Sequence, residues 1–193
     1  MSLNIGGTAT DNAKGGHDIN VKAMGQVGDW EEKLGATAGV FAQGNNKKGP
    51  ATTGAFAELS SNGHGLGIQH SNTHGVSKSM GENLRINAFK NDQHSVDLNA
   101  FHNRTQMQNG LKFDSVGANA GWSHAQGHSA TVGVTQIPKF GVTTMGATGT
   151  ANLWTSPNQA SSLNMNAFGN QHLSGPFQGK RDFGGGLGFT HKF

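Results

Sequence analysis

The sequence predicts an all-β protein: an antiparallel sheet built from repeated hairpins, closed as a sandwich or a soluble barrel, behind a flexible amino terminus. Three observations predict it. The first is a repeat. Leu98-Asn99-Ala100-Phe101-His102-Asn103 leads to Gly121-Trp122-Ser123-His124, and Met165-Asn166-Ala167-Phe168-Gly169-Asn170 leads to Gly188-Phe189-Thr190-His191, with the same offset of 67 residues at both ends. A looser third copy runs from Gly39-Val40-Phe41-Ala42 to Gly67-Ile68-Gln69-His70 over a longer interval. The second observation is period-two alternation of bulky with small or polar residues, the pattern of a strand that packs one face. The third is composition: 33% hydrophobic residues and 31 glycines among 193, so that much of the roughly 45–50% apolar content that ordinary domains reach with glycine included is here glycine, which brings no side chain to bury. Such a chain cannot build a thick apolar core, and a copied β unit argues against one asymmetric catalytic pocket.

The elements follow in order. Residues 1–20 form the segment expected to be flexible, because Gly6-Gly7 and Gly15-Gly16 among polar residues offer little to bury. Residues 21–72 form an amino-terminal region whose one helix-like stretch, Asp29-Trp30-Glu31-Glu32-Lys33-Leu34, is cut short by Gly35. Residues 73–193 carry the two glycine-rich repeats, about 82–140 and 141–193. Within them Ile86–Phe89 and Val96–Phe101 flank Asn91-Asp92-Gln93-His94, which reads as a hairpin. Val132–Gln136 and Phe140–Met145 alternate as strands, and a second hairpin joins Asn152-Leu153-Trp154 to Leu163-Asn164-Met165 across Ser156-Pro157-Asn158, where proline sets φ for a turn. Leu187–Phe193 alternates to the final residue.

Charge is unevenly divided. Residues 1–97 hold nine acids and eight bases, and residues 98–193 hold two acids and six bases, Arg104, Lys112, Lys139, Lys180, Arg181 and Lys192. A basic glycine-rich half favours an anionic partner such as a phosphorylated lipid or a nucleic acid, and these six residues are the candidate contacts to an anionic surface.

Several chemistries are set aside. There is no cysteine, hence no disulfide framework, thiolate metal site or thiol nucleophile. His70/His74 and His124/His128 share a metal-like spacing, but in strands and turns that spacing does not bring the imidazoles together as a helix would. Ser123 beside His124, and Thr190 beside His191, point to opposite faces of a strand and cannot act as nucleophile and base. Gly184-Gly185-Gly186-Leu187-Gly188 lacks the Lys-Ser and the helix of a phosphate loop. No enzyme activity, cofactor or metal is expected. No stretch approaches the roughly 18 apolar residues of a transmembrane helix, and Met1–Gly7 shows neither the basic nor the apolar region of a signal peptide.

Several blocks, taken in order, resemble the attacins, the glycine-rich antibacterial proteins of insect immunity. Gln43-Gly44-Asn45, Gly49-Pro50-Ala51-Thr52-Thr53-Gly54, Asn62-Gly63-His64-Gly65 and Thr73-His74-Gly75-Val76 resemble the amino-terminal attacin segment. Ala151-Asn152-Leu153-Trp154-Thr155-Ser156-Pro157-Asn158, Ser174-Gly175-Pro176-Phe177 and Phe183-Gly184-Gly185-Gly186-Leu187-Gly188-Phe189-Thr190-His191 resemble its carboxy-terminal repeats. The resemblance implies a secreted haemolymph protein that acts on Gram-negative bacteria at the outer membrane, through lipopolysaccharide contact and interference with outer-membrane protein production. An intracellular form stays open, because no export signal stands at the front.

Two other readings compete. Leu187, Phe189 and Phe193 share one face of the last strand, like the closing strand of a bacterial outer-membrane barrel, and are the candidate strand-edge residues. An integral barrel is not expected, because mean hydropathy is −0.50 and tyrosine is absent where aromatic girdles would stand. Single-stranded nucleic-acid binding would need stacking aromatics interleaved with arginine. With arginine only at 85, 104 and 181, nucleic acid is not the expected partner.

Overall fold

The computed structural model describes residues 2–11, 15–28, 34–47, 49–158 and 160–191. Twelve strands account for nearly all of them: β1 (Ser2–Asp11), β2 (His17–Gly28), β3 (Gly35–Asn45), β4 (Thr52–Ser61), β5 (His64–Thr73), β6 (Ser77–Lys90), β7 (His94–Met107), β8 (Lys112–His124), β9 (Ser129–Ile137), β10 (Val142–Thr155), β11 (Ser161–Ser174) and β12 (Arg181–His191). They form one sheet in sequence order, with β1 and β12 at its two edges. The all-β, antiparallel, hairpin-built expectation holds, and the sheet is single and not closed. The helix-like stretch at 29–33 lies outside the described residues, as do Lys192 and Phe193.

The chain divides into two compact units, Met1–Arg85 with Phe101–Asp114, and Ile86–Ala100 with Ser115–Phe193. In the first, β1 pairs with β2 through ten residues, Ser2↔Gln26 to Asp11↔His17. The early residues bury little, so backbone hydrogen bonds rather than side chains define this strand. The β4–β5 hairpin closes through two residues, Asn62 (φ 50°) and Gly63 (φ 79°). Both central positions of such a turn need positive φ, which glycine and asparagine adopt at least cost.

In the second unit both expected hairpins are present. Asn91 turns the chain between β6 and β7: its side-chain oxygen accepts the N–H groups of Gln93 (2.9 Å) and His94 (2.7 Å). Strands β10 and β11 pair from Thr143↔Ser174 to Thr155↔Ser162, with irregularities near both ends. The stretch read as a strand from Phe140 begins instead at Val142, because Pro138–Phe140 forms a 3-10 turn ended by left-handed Gly141.

Each gap-free repeat copy is a hairpin, β7 with β8 and β11 with β12. The looser third copy is not equivalent, since Gly39–Ala42 lies in β3 and Gly67–His70 in β5, two strands that are not neighbours.

Among the described residues no apolar side chain is buried, and the two buried side chains are polar, Thr37 and Ser60. What holds the sheet is its backbone ladder together with cross-strand contacts on one polar face. Thr52 and Thr73 hydroxyls lie 2.8 Å apart, Ser71 and Ser79 2.6 Å, and Asn99 donates to Asn119 at 3.0 Å. Phenylalanine rings fill the spaces that glycine leaves on that face. Phe41 lies over Gly54 and Phe56 over Gly39, each directly across the β3–β4 pair.

Candidate functional site

The structure sorts the basic residues into two groups, one in each unit. In the second unit Lys139 sits in the 3-10 turn between β9 and β10, while Lys180 and Arg181 stand where the turn after β11 enters β12. Hydrogen bonds tie these two turns to one end of the sheet. Ser174 Oγ donates to the Gly141 carbonyl at 2.7 Å, and the His172 N–H donates to the Lys180 carbonyl at 3.0 Å. Lys180 Nζ lies 5.0 Å from the centre of the Phe177 ring, a cation–π contact on the exposed surface.

In the first unit Arg104 Nε donates to Asp114 Oδ1 at 2.9 Å, and His102 touches the same oxygen at 3.2 Å and Glu82 at 3.6 Å. The bond from Arg104 holds the Asp114 carboxyl below its ordinary value, and the same bond pushes Arg104 upward. Arg104 is thus neutralised locally, and Lys112 stands at the start of β8.

Of the candidate edge residues, Leu187 and Phe189 lie on β12, which among the described residues pairs with β11 alone, and Phe193 falls outside those residues. Leu187 is 70% exposed, Phe189 66% and Phe183 86%. All three share one face by alternation, and Met165↔Leu187 and Leu163↔Phe189 continue that face into β11. Phe183 belongs with Leu187 and Phe189 on the same alternation.

A cluster that the sequence did not predict lies at the β7 and β8 ends in the second unit. Trp122 Nε1–H donates to His94 Nδ1 at 3.2 Å, and the His94 and His124 rings meet edge to face at 4.7 Å. The His124 and His128 rings are 5.8 Å apart, but His124 Nδ1 accepts the Gln126 N–H and His128 Nδ1 accepts the Asn152 N–H. The first nitrogen caps the β8–β9 turn and the second ties that turn to β10, and among the described residues no group of three side chains is placed to hold a metal. The signal was faint because His94 and Trp122 are 28 residues apart and meet only through strand pairing.

Fold and surface together define a glycine-rich β-sheet protein with basic turns and an exposed aromatic edge strand, without a recognisable catalytic or metal centre among the described residues. Comparison with known families agrees: residues 5–74 match the attacin N-terminal region and residues 74–193 the attacin C-terminal region. The chain is 40% identical to Attacin-A of Glossina morsitans morsitans over 98% of its own length and 90% of that protein. It is 34% identical to Attacin-A of Drosophila melanogaster, covering 98% and 84%, and 30% identical to Sarcotoxin II-1 of Sarcophaga peregrina, covering 93% and 80%. The chain belongs to the attacin family, and with that membership comes an antibacterial role in insect immunity. No solved structure matches it.

Proposed function

We propose that the protein is a secreted, non-enzymatic effector that adsorbs to the Gram-negative outer membrane through lipopolysaccharide and then interferes with outer-membrane barrel proteins. The observation that carries this reading is β12: an edge strand that follows Lys180, begins at Arg181 and exposes Phe183, Leu187 and Phe189. An edge strand presents a row of backbone N–H and C=O groups on its outer side, a template for another strand. Barrel proteins in assembly are the membrane partners with unpaired strands to offer. Lysine and arginine near that edge attract the phosphates of lipopolysaccharide, with an affinity that salt screens. A lytic amphipathic helix works differently, by wedging into the headgroup region, and among the described residues no helix is long and apolar enough to cross a membrane.

The test is adsorption to lipopolysaccharide vesicles beside recovery of folded barrel proteins from treated cells. Binding that falls with salt, accompanied by loss of folded barrel proteins, supports the reading. Salt-independent binding, or binding with undisturbed barrel proteins, contradicts it.

A further inference from the structure

Both free edges of the sheet are unguarded. Among the described residues β1 pairs with β2 alone and β12 with β11 alone. Natural proteins protect such edges with proline, charge or a bulge. From Ser2 to Thr10 on β1, and from Phe183 to Thr190 on β12, there is neither a proline nor a charged residue. Both strands hold out bulky apolar side chains instead. Leu3 is 73% exposed and Ile5 68%, beside Phe183, Leu187 and Phe189 on β12, and apart from Leu34 every other large apolar side chain described is less exposed than these five.

Register sets them on the exposed apolar face of each unit. Leu3 lies opposite Gly25, and that row continues through Ala38 and Ala57 to Ile68, next to Leu59 and Leu66. Leu187 and Phe189 continue into Met165 and Leu163.

The repeat says what fits the β12 edge. By the offset of 67 residues β12 is the counterpart of β8: Phe183, Leu187, Phe189 and Thr190 stand where β8 has Val116, Ala120, Trp122 and Ser123. One side of β8 is taken by β9, which opens Ser129-Ala130-Thr131-Val132-Gly133-Val134-Thr135. The same pattern, Ser-x-polar-aliphatic-Gly-x-Thr, opens β1 as Ser2-Leu3-Asn4-Ile5-Gly6-Gly7-Thr8. Strand β12 thus presents an edge like that of β8, and β1 has the sequence of the strand that covers it.

The β8–β9 register carries over directly. Val116↔Gln136, Ala120↔Val132, Trp122↔Ala130 and Ser123↔Ser129 become Phe183↔Ala9, Leu187↔Ile5, Phe189↔Leu3 and Thr190↔Ser2. Apolar face then meets apolar face, which a slip of one residue would destroy. On the other face Asn4 and Gly6 fall opposite Gly188 and Gly186, beside which there is open space. Extended to the strand ends, the same register sets Arg181 opposite Asp11, residues of opposite charge, as favourable cross-strand pairs are.

We propose that β12 of one copy pairs antiparallel with β1 of a second copy in this register, so that copies join head to tail. The chain's own β1 stands at the opposite edge of the open sheet, which leaves the β12 edge to another molecule. Such a contact joins two different surfaces and leaves one of each free, so assembly grows with concentration instead of stopping at a dimer. It rests on the reading of β12 as a pairing edge and adds its regulation: an edge covered by a second copy is closed to a barrel strand until that copy leaves.

The chain has no cysteine, so single thiols report the pairing. Ile5→Cys and Leu187→Cys proteins are mixed and treated with a bis-maleimide too short to span four residues of a strand, about 14 Å. Leu3→Cys with Phe189→Cys is a second matched mixture and Ile5→Cys with Phe183→Cys a mismatched one, and circular dichroism checks that each variant folds. Cross-linked dimers are expected in both matched mixtures and few in the mismatched one, with a parent mass by light scattering that rises with concentration. Equal yields from matched and mismatched mixtures, or a parent mass fixed at one chain, would overturn the pairing. So would a double variant, Ile5→Cys with Leu187→Cys, that cross-links only within single chains, because the β12 edge would then belong to the chain's own β1. Leu3→Lys with Ile5→Lys separates assembly from activity: this variant should stay monomeric and still inhibit growth, since its β12 is unchanged. If it still assembles, the pairing is wrong and the reading of β12 stands; if it is monomeric and no longer inhibits growth, the reading of β12 is wrong and the pairing stands.

Discussion

The ring of Phe168 in β11 lies over Gly184, its direct partner in β12, so closely that a Cβ on Gly184 would stand 2.8 Å from two ring carbons. The aromatic covers backbone that glycine leaves bare, which is how edge glycines are tolerated in sheets. It also fixes the edge strand to its neighbour on the polar face, while Leu187 and Phe189 point the other way.

Stability should follow from that contact. Sequence reasoning expects Phe101 and Phe168 to be equivalent inward residues that each cost about 3 kcal/mol on truncation, the figure for a buried aromatic. Phe168 is 48% exposed, so Phe168→Ala should cost about 1.5 kcal/mol, in proportion to the area it covers. Gly184→Val should also destabilise, by displacing the ring. Urea unfolding checks both, and a Gly184→Val midpoint equal to that of the parent would contradict the contact.

Acid should loosen the Arg104–Asp114 pair. The Asp114 pKa is lowered in the folded state from its ordinary 3.8, so its contribution is complete above that value and is lost as pH falls through the lower folded value. Asp114→Asn should lower the melting temperature by a constant amount between about pH 5 and 7, and the gap should close below about pH 3.8. A gap that widens in acid would mean that the carboxylate is unfavourable where it stands.

Charge at the sheet end should direct adsorption. Replacing Lys139, Lys180 and Arg181 with glutamine should weaken binding to lipopolysaccharide vesicles and flatten its salt dependence. The same changes at Arg104, already paired with Asp114, should do less. Equal losses at both places would show that net charge alone governs binding.

Much of the fold was legible because alternation is strong where bulky residues face glycine or threonine, as in Val132–Gln136 and Leu187–His191. It was faint in β3 and β4, where Ala36, Ala38, Ala55 and Ala57 contrast little with their neighbours. There the Asn62-Gly63 turn carries the clearer hairpin signal. The sequence names the basic residues but does not show that Arg104 is paired, nor that Lys139 joins Lys180 and Arg181, because both facts depend on strand pairing. The exposed apolar face was hidden for the same reason: register, not composition, puts Leu59 beside Leu66 and Met165 beside Leu187.

The edge strand should be separable from adsorption. Deleting residues 187–193 removes Leu187, Phe189 and the carboxy-terminal part of β12 and leaves Lys139, Lys180 and Arg181 in place. Growth inhibition should be lost while vesicle adsorption is partly kept. A truncated protein that still inhibits growth at the parent concentration would move the active element elsewhere.

The most direct measurement is a time course on treated Gram-negative cells that follows folded outer-membrane barrel proteins and uptake of an impermeant dye together. Interference through the β12 edge predicts that folded barrel proteins fall first and that dye enters later, as the membrane is depleted of them. Dye entry within the first minutes, while barrel proteins are still at their starting level, would contradict the account and make the protein a direct permeabiliser.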